Sequence, residues 1–164
     1  MEITYCKPGS RVLACLGPVL SVRVGKAFSS ADEHARDTPA PAVNSHTSVK
    51  LQAKVDTGSY ATVVPLKCVG KGGLDLDPVG TVKTNTASHK GVRADVFLVS
   101  IEIQGKLHIP ACYVLALDTF ADTCLIGRDL LQTGWLDYRG QAGEYTLHLG
   151  DDLAKGRFYP FWLV

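Results

Sequence analysis

Apolar and polar residues alternate along several short stretches of the chain. In the stretch 92–103, Phe97, Val99 and Ile101 fall on one face of an extended segment, and Ser100 falls on the other. Because successive side chains of a β-strand point to opposite faces, this pattern predicts a strand buried on one side. The same pattern predicts further strands over residues 18–24, 49–55, 111–117 and 145–149.

Only one helix is predicted. It is short, from Arg128 to Gln132, and ends near Gly134, a residue that suits a helix C-cap. The 16 glycines and 8 prolines favour tight turns, and residues 140–143 are predicted to close a hairpin before the last strand. A chain of 164 residues suits one domain with a sizeable core. We therefore predict a single all-β domain over residues 1–164, with one short C-terminal helix.

Residues 27–48 differ from the rest of the chain. This segment is polar and charged, contains Pro39 and Pro41, and has no apolar period. We predict a long loop inserted between two strands. Two interpretations of this loop are open, a recognition element and an ordinary surface loop. Its composition favours the ordinary surface loop.

The charge balance and hydropathy exclude several classes of protein. The chain has 17 Lys and Arg residues against 16 Asp and Glu residues, a net charge of +1, and no basic run. This argues against nucleic-acid binding through phosphate contacts. No window approaches the ~18 uninterrupted apolar residues that a membrane-spanning helix needs, so no membrane partner is expected. The apolar stretch 12–20 is broken by Gly17 and Pro18, which makes a secretion signal a poor interpretation.

The cysteines and histidines give no sign of a metal or a disulfide framework. The 5 cysteines are an odd, widely spread set without a CxxC spacing. The 5 histidines never fall at HxxxH or HExxH spacing. We expect no metal, no cofactor and a reducing, cytoplasmic location.

The segment 54–64 carries the strongest chemical signal. A buried strand is predicted to enter Asp56, Thr57, Gly58 and Ser59, and an apolar pair follows. Placing polar groups between apolar segments is costly unless they bond to one another, and the amides of Gly58 and Ser59 can donate to the carboxylate. A plain Asp-Thr-Gly surface turn is the alternative, but it leaves the apolar flanks unexplained.

A second motif lies near the predicted helix. Leu125, Ile126 and Gly127 form an apolar strand end and a glycine, and the helix 128–131 follows. Together with the Asp-Thr-Gly-Ser motif, this segment resembles the retropepsin-like aspartic peptidases, the single-domain relatives of pepsin. The resemblance covers about residues 19–149 and implies an all-β, single-lobe acid protease barrel.

The resemblance also implies a mechanism and a partner. Peptide hydrolysis by this route needs two carboxylates that share one proton, and this chain has one Asp-Thr-Gly motif. It therefore implies a homodimer in which Asp56 of each copy meets on the two-fold axis, with protein or peptide substrates and no cofactor. Thr57 would lock the two loops together across the axis. The Ser59 hydroxyl would donate to Asp56 and favour activity at acidic pH.

The resemblance assigns the substrate-covering flap to a hairpin over residues 79–99, with its tip at 87–91. Only Gly91 in that tip readily supplies a positive φ. The expected substrate contacts of the flap and the pocket are Thr86, Ala87, Ser88, His89, Leu125, Ile126 and Gly127.

Two features depart from the family pattern. Tyr60 stands where viral members carry an acid that pairs with the arginine at the position of Arg128, so Arg128 must find another partner or lie differently. The apolar C-terminal segment 157–164 is expected either at the dimer interface or on the core of its own domain.

Two other functions stay open beside the peptidase. One is a peptide-binding or assembly module that keeps the fold without turnover. The other is a domain-swapped structural dimer. The intact Asp-Thr-Gly-Ser motif favours the peptidase, because a non-catalytic chain has no need of a costly buried acid.

Overall fold

The computed structural model describes residues 2–5, 17–27, 47–86, 88–118 and 123–163. The strands are β1 (Glu2–Tyr5), β2 (Val19–Lys26), β3 (Ser48–Val55), β4 (Val63–Pro65), β5 (Gly80–Thr84), β6 (Val92–Ile103), β7 (Leu107–Leu117), β8 (Thr123–Ile126), β9 (Trp135–Arg139), β10 (Glu144–His148) and β11 (Arg157–Phe158). The helices are α1 (Leu66–Val69) and α2 (Arg128–Leu131), with short 3-10 turns at Asp151–Ala154 and Phe161–Leu163. The described chain is mostly β, which confirms the predicted fold class.

Six of the strands close into a barrel. Around it the order is β7, β4, β8, β3, β2 and β6, and β6 pairs with β7 to complete the ring. β5 pairs with β6 and β11 with β7, while β1, β10 and β9 form a separate three-stranded sheet. Closure pairs the backbone groups of the six barrel strands on both sides, which gives the loops at the barrel ends a rigid support.

The main core takes one face of every barrel strand. Along β2, Leu20, Val22 and Val24 are at most 1% exposed, as the alternating pattern predicts. Ile101 of β6 and Ile126 of β8 are fully buried in the same cluster. Full burial of each such side chain stabilises the fold by about 1.5–3 kcal/mol. The apolar periods read from the sequence therefore mark the core strands correctly.

The opposite faces of several of these strands form a second apolar cluster, called here the outer cluster. Its buried members are Ala61, Val63, Ala94, Val96 and Leu115. Partly buried side chains pack against it, namely Tyr60, Val82, Tyr113, Leu117, Leu125, Trp162 and Leu163. The outer cluster thus joins the residue after Ser59, the β5–β6 hairpin, β8 and the C-terminal segment.

The predicted helix is present as α2, and the predicted hairpin over 140–143 joins β9 to β10. The prediction of a single helix is wrong, because α1 follows β4. Four residues are too few to show a helical period, so the sequence pattern gives no sign of α1.

Part of the predicted inserted loop, residues 28–46, lies outside the described residues, as do Cys6, Cys15 and Ala87. The three described cysteines, Cys68, Cys112 and Cys124, are buried and are not joined to one another by disulfides. Burial raises the pKa of the Cys124 thiol to about 12, so that thiol stays protonated at neutral pH. No helix within the described ranges is long and apolar enough to cross a membrane.

The C-terminal segment packs on its own domain. β11 runs parallel to β7, with Arg157 opposite Ala111. Phe158 packs against the main core, and Trp162 packs against the outer cluster. Of the two positions expected for this segment, packing on its own domain is observed, and a role at a dimer interface stays a prediction.

Candidate active site

Asp56 follows the last residue of β3 and is anchored to the end of β8. The parallel register places Val55 opposite Ile126, and the Asp56 amide donates to the Ile126 carbonyl at 3.0 Å. Both neighbouring side chains are buried in the main core. The half-buried acid is therefore held at the rim of the barrel by two rigid strands.

The backbone that follows Asp56 turns back onto its carboxylate. The Gly58 amide donates to Oδ1 at 2.9 Å, and the Ser59 amide donates to the same oxygen at 3.3 Å. These contacts confirm the predicted donors. A Cβ at Gly58 would lie 3.2 Å from Oδ1, tighter than most real contacts, so glycine suits this approach. Thr57 is exposed, and its predicted contact with a second copy stays a prediction.

The Ser59 hydroxyl does not bond to Asp56, which corrects one expectation. It donates to the carbonyl of Ala61 at 2.7 Å and so tightens the loop itself. Only the backbone amide of Ser59 reaches the carboxylate. The reason given for an acidic pH optimum, a hydroxyl bond that stabilises the ionised acid, therefore does not hold in this chain.

Gly127 packs against the outgoing arm of the same loop. A Cβ at this glycine would lie 2.3 Å from the carbonyl carbon and oxygen of Ala61, closer than any side chain tolerates. The Gly127 amide donates to the Thr62 hydroxyl at 3.2 Å, and the Arg128 amide donates to the Ser59 carbonyl at 2.9 Å. The two sequence motifs therefore form one unit, and glycine is required because two backbones touch.

The buried side chain of Asp129 holds this unit together through hydrogen bonds. It is 0% exposed, and its carboxylate accepts from the Thr62 amide at 2.8 Å and the Thr62 hydroxyl at 2.7 Å. The Leu130 amide and the Trp162 indole nitrogen also donate to it, each at 2.8 Å. Four donors offset the cost of burying a carboxylate, so Asp129 is a structural acid.

Hydrogen bonds connect the described residues near the tip of the β5–β6 hairpin. The Thr86 amide donates to the His89 carbonyl at 2.8 Å, and the Gly91 amide donates to Asn85 Oδ1 at 2.9 Å. Gly91 has a φ of 67°, the positive value expected of it. Ser88 and His89 are exposed at the tip, where the serine hydroxyl and His89 Nδ1 lie 2.8 Å apart.

The hairpin and the Asp56 loop meet through the outer cluster. Val82 of β5 and Val96 of β6 pack there with Tyr60 and Leu125. The base of the hairpin is therefore fixed to residues that flank the Asp56 loop, while its exposed residues Ser88 and His89 face solvent. Within the described ranges, no group of three or more His, Cys, Asp or Glu side chains is placed to hold a metal ion.

A family model described as gag-polyprotein putative aspartyl protease matches residues 42–133, more than half of the chain. The chain belongs to this retropepsin-like family. The matched span runs from just before β3 to the end of α2, and so includes Asp56 and Gly127. A search of curated proteins found no match to the chain.

The residues of this retropepsin-like domain that were predicted to line a pocket lie in different surroundings. Leu125 lies against the outer cluster, and its contact with substrate stays a prediction. The side chain of Ile126 is fully buried in the main core, which corrects the prediction that it lines a pocket. The Ile126 carbonyl accepts a hydrogen bond from the Asp56 amide, and Gly127 supports the same loop by packing its backbone against Ala61.

Tyr60 and Arg128 differ from the ion pair of viral family members. Tyr60 packs against the outer cluster, and Arg128 is exposed and makes no ion pair with any residue of the described ranges. The arginine lines a shallow cleft of about 350 Å³ with Gln132 and Phe161.

Sequence reasoning missed Asp129, which is the most heavily bonded acid of the site. An acid in the first turn of a helix is ordinarily exposed, so its place in the sequence gives no sign of burial. Its partners Thr62 and Trp162 lie 67 and 33 residues away in the chain, where no local pattern reveals them.

Proposed function

We propose that this retropepsin-like domain is an aspartic endopeptidase that hydrolyses peptide bonds as a homodimer. The observation that carries the proposal is the state of the Asp56 carboxylate. Two amides hold its Oδ1, and no described residue donates to its Oδ2. A half-buried acid that is fixed through one oxygen and open at the other is arranged to bind a reacting water.

The second carboxylate has to come from a second copy of the chain. Asp129 lies in the same part of the fold, but it is fully buried and its two oxygens already accept four hydrogen bonds. It cannot share a water with Asp56. A two-fold axis beside the exposed Thr57 and Gly58 would bring two copies of Asp56 together.

The paired aspartates would act through different protonation states. Two close carboxylates cannot both ionise easily, so one keeps a proton and the other is charged. The charged one takes a proton from the water, which attacks the scissile carbonyl. The protonated one donates a hydrogen bond to the carbonyl oxygen, where negative charge develops.

The β5–β6 hairpin would cover the bound peptide. Its base is held in the outer cluster by Val82 and Val96, while Ser88 and His89 are exposed at the tip. We expect residues 84–95 to close over substrate and exclude water. Hydrogen exchange with and without a statine-type peptide inhibitor tests this, because a flap gains protection on binding. Unchanged exchange over 84–95 would place the cover elsewhere.

Incubation of the purified protein with a mixed peptide library between pH 3 and 8 tests the activity directly. A shared-proton pair predicts a bell-shaped pH profile and inhibition by a statine-type mimic. A flat profile, or inhibition by chelators alone, would contradict the aspartic mechanism.

A non-catalytic peptide-binding module is the second candidate function. The observation that favours it is the outer cluster, where the apolar side chains of Leu125, Trp162 and Leu163 are only half-buried. Such a module would bind peptides from the same library and return them intact. Turnover that disappears in Asp56→Ala separates the two candidates.

A further inference from the structure

The last residues of the described chain reach the active-site unit from outside the matched family segment. Trp162 lies in the 3-10 turn Phe161–Leu163, well beyond residue 133, where the family match ends. β11 guides this turn by pairing with β7, and Pro160 is buried. The indole ring is half-buried against the outer cluster.

The indole nitrogen of Trp162 donates to Asp129 Oδ2 at 2.8 Å. The same oxygen accepts from the Thr62 amide at 2.8 Å, so the two donors together fix its position. The other oxygen, Oδ1, holds the Thr62 hydroxyl at 2.7 Å, and that hydroxyl accepts from the Gly127 amide. Trp162 therefore completes the set of donors around a buried charge.

From Asp129 the contacts continue to the catalytic loop. Gly127 touches Ala61, and the Arg128 amide donates to the Ser59 carbonyl. Ser59 in turn donates its amide to Asp56. Each link is a direct backbone contact or a hydrogen bond of at most 3.3 Å, so we expect a shift of the Asp129 carboxylate to move the backbone that carries Asp56.

We propose that Trp162 is a positioning residue for the catalytic aspartate, which acts through Asp129. Without the indole donor, the buried carboxylate rotates to regain a fourth hydrogen-bond donor. This rotation weakens its hydrogen bonds with Thr62. The catalytic loop then spends less time in the geometry that aligns water and substrate. The C-terminal segment is in this way part of the active-site support.

This inference rests on the proposed peptidase function, and the test measures turnover first. Trp162→Phe keeps an aromatic ring and removes the donor. We expect a roughly tenfold lower kcat with KM within about twofold, well below the unfolding temperature. Trp135→Phe is the matched control, because Trp135 is 54% exposed, stacks on His148, and belongs to a strand outside this unit. It should keep the parent kcat.

A double-mutant cycle with Asp129→Asn tests the route. If Trp162 acts through Asp129, Trp162→Phe should cost much less kcat in the Asp129→Asn background than in the parent. Should Trp162→Phe fail to fold, a benzothienylalanine at position 162 removes the N–H with almost no change of shape. Additive effects, an unchanged kcat, or a higher kcat from release of the C-terminal segment would each overturn the proposal.

Amide hydrogen exchange separates this proposal from the peptidase function itself. Loss of the Trp162 donor should speed exchange at the amides of Thr62 and Arg128, whereas Trp135→Phe should not. This readout needs no turnover, so a parent protein that cleaves no peptide would refute the peptidase and leave the exchange comparison to decide the role of Trp162. Equal exchange in the two variants would refute that role.

Discussion

Asp56 and Asp129 lie in one structural unit, yet their surroundings are opposite. Asp56 is half-buried, and two amides donate to one of its oxygens. Asp129 is 0% exposed and accepts four hydrogen bonds over both oxygens. On the proposed function, the number of unfilled acceptor positions, and not the mere presence of an acid, separates the reactive carboxylate from the structural one.

The largest expected effect is a loss of activity without a loss of folding. Asp56→Ala should lower kcat by about 10⁴-fold or more, because the pair loses the group that takes the proton. The fold should stay intact, since Asp56 contributes only local loop contacts and its loss removes repulsion between like charges. Peptide turnover and thermal unfolding measured together check both halves. If Asp56→Ala failed to fold, Asp56 would be a structural acid as well, and the contrast with Asp129 would be lost.

The reverse result is expected at the structural acid. Asp129→Ala should lower the free energy of unfolding by about 3 kcal/mol or more, because it leaves the amides of Thr62 and Leu130 and the indole of Trp162 without their acceptor. Urea denaturation at neutral pH measures this. A variant as stable as the parent would show that water or a shifted backbone replaces the carboxylate.

The two glycines of the unit should also behave differently. Gly127→Ala should cost about 2–3 kcal/mol of stability, because its Cβ would meet the Ala61 backbone at 2.3 Å. Gly58→Ala, where the nearest atom is Asp56 Oδ1 at 3.2 Å, should cost under about 1 kcal/mol and act mainly on turnover. The same denaturation series compares them, and equal losses would show that the loops adjust to an added methyl group.

The smallest expected effect is a pH dependence of stability. Burial lowers the pKa of His108, and the nearby Glu102 only partly opposes this. The folded state disfavours the charged imidazole, so the stability that neutral His108 contributes is present above about pH 6.5 and is lost as the pH falls below it. His108→Gln should flatten the fall in the unfolding midpoint between pH 7 and 5. His89→Gln, at the exposed hairpin tip, is the control for the loss of one imidazole.

Much of this architecture could be predicted from local patterns. The alternating apolar residues locate β2, β3, β6, β7 and β10, since a half-buried strand requires that period. The Asp-Thr-Gly-Ser motif locates the Asp56 loop and both amide donors, because these contacts span two or three residues.

The features that escaped prediction depend on contacts between distant parts of the chain. The bond from the Ser59 hydroxyl to Ala61 depends on a loop path that Gly127 shapes from the other motif. The acceptor role of Asp129 depends on donors from Thr62 and Trp162, 67 and 33 residues away in the chain. α1 is held by packing of Cys68 and Val69 in the main core and not by any helical period.

The shared active site is tested most directly by mixing subunits. Equal amounts of parent protein and Asp56→Ala, unfolded and refolded together, should give the three dimers in a 1:2:1 ratio if assembly is unbiased. Only the parent homodimer, about one quarter of the dimers, carries both carboxylates. Activity per parent chain should therefore fall to roughly half of that in the unmixed parent. A value that stays unchanged after verified subunit exchange would show that each chain works alone, and would contradict the two-chain site.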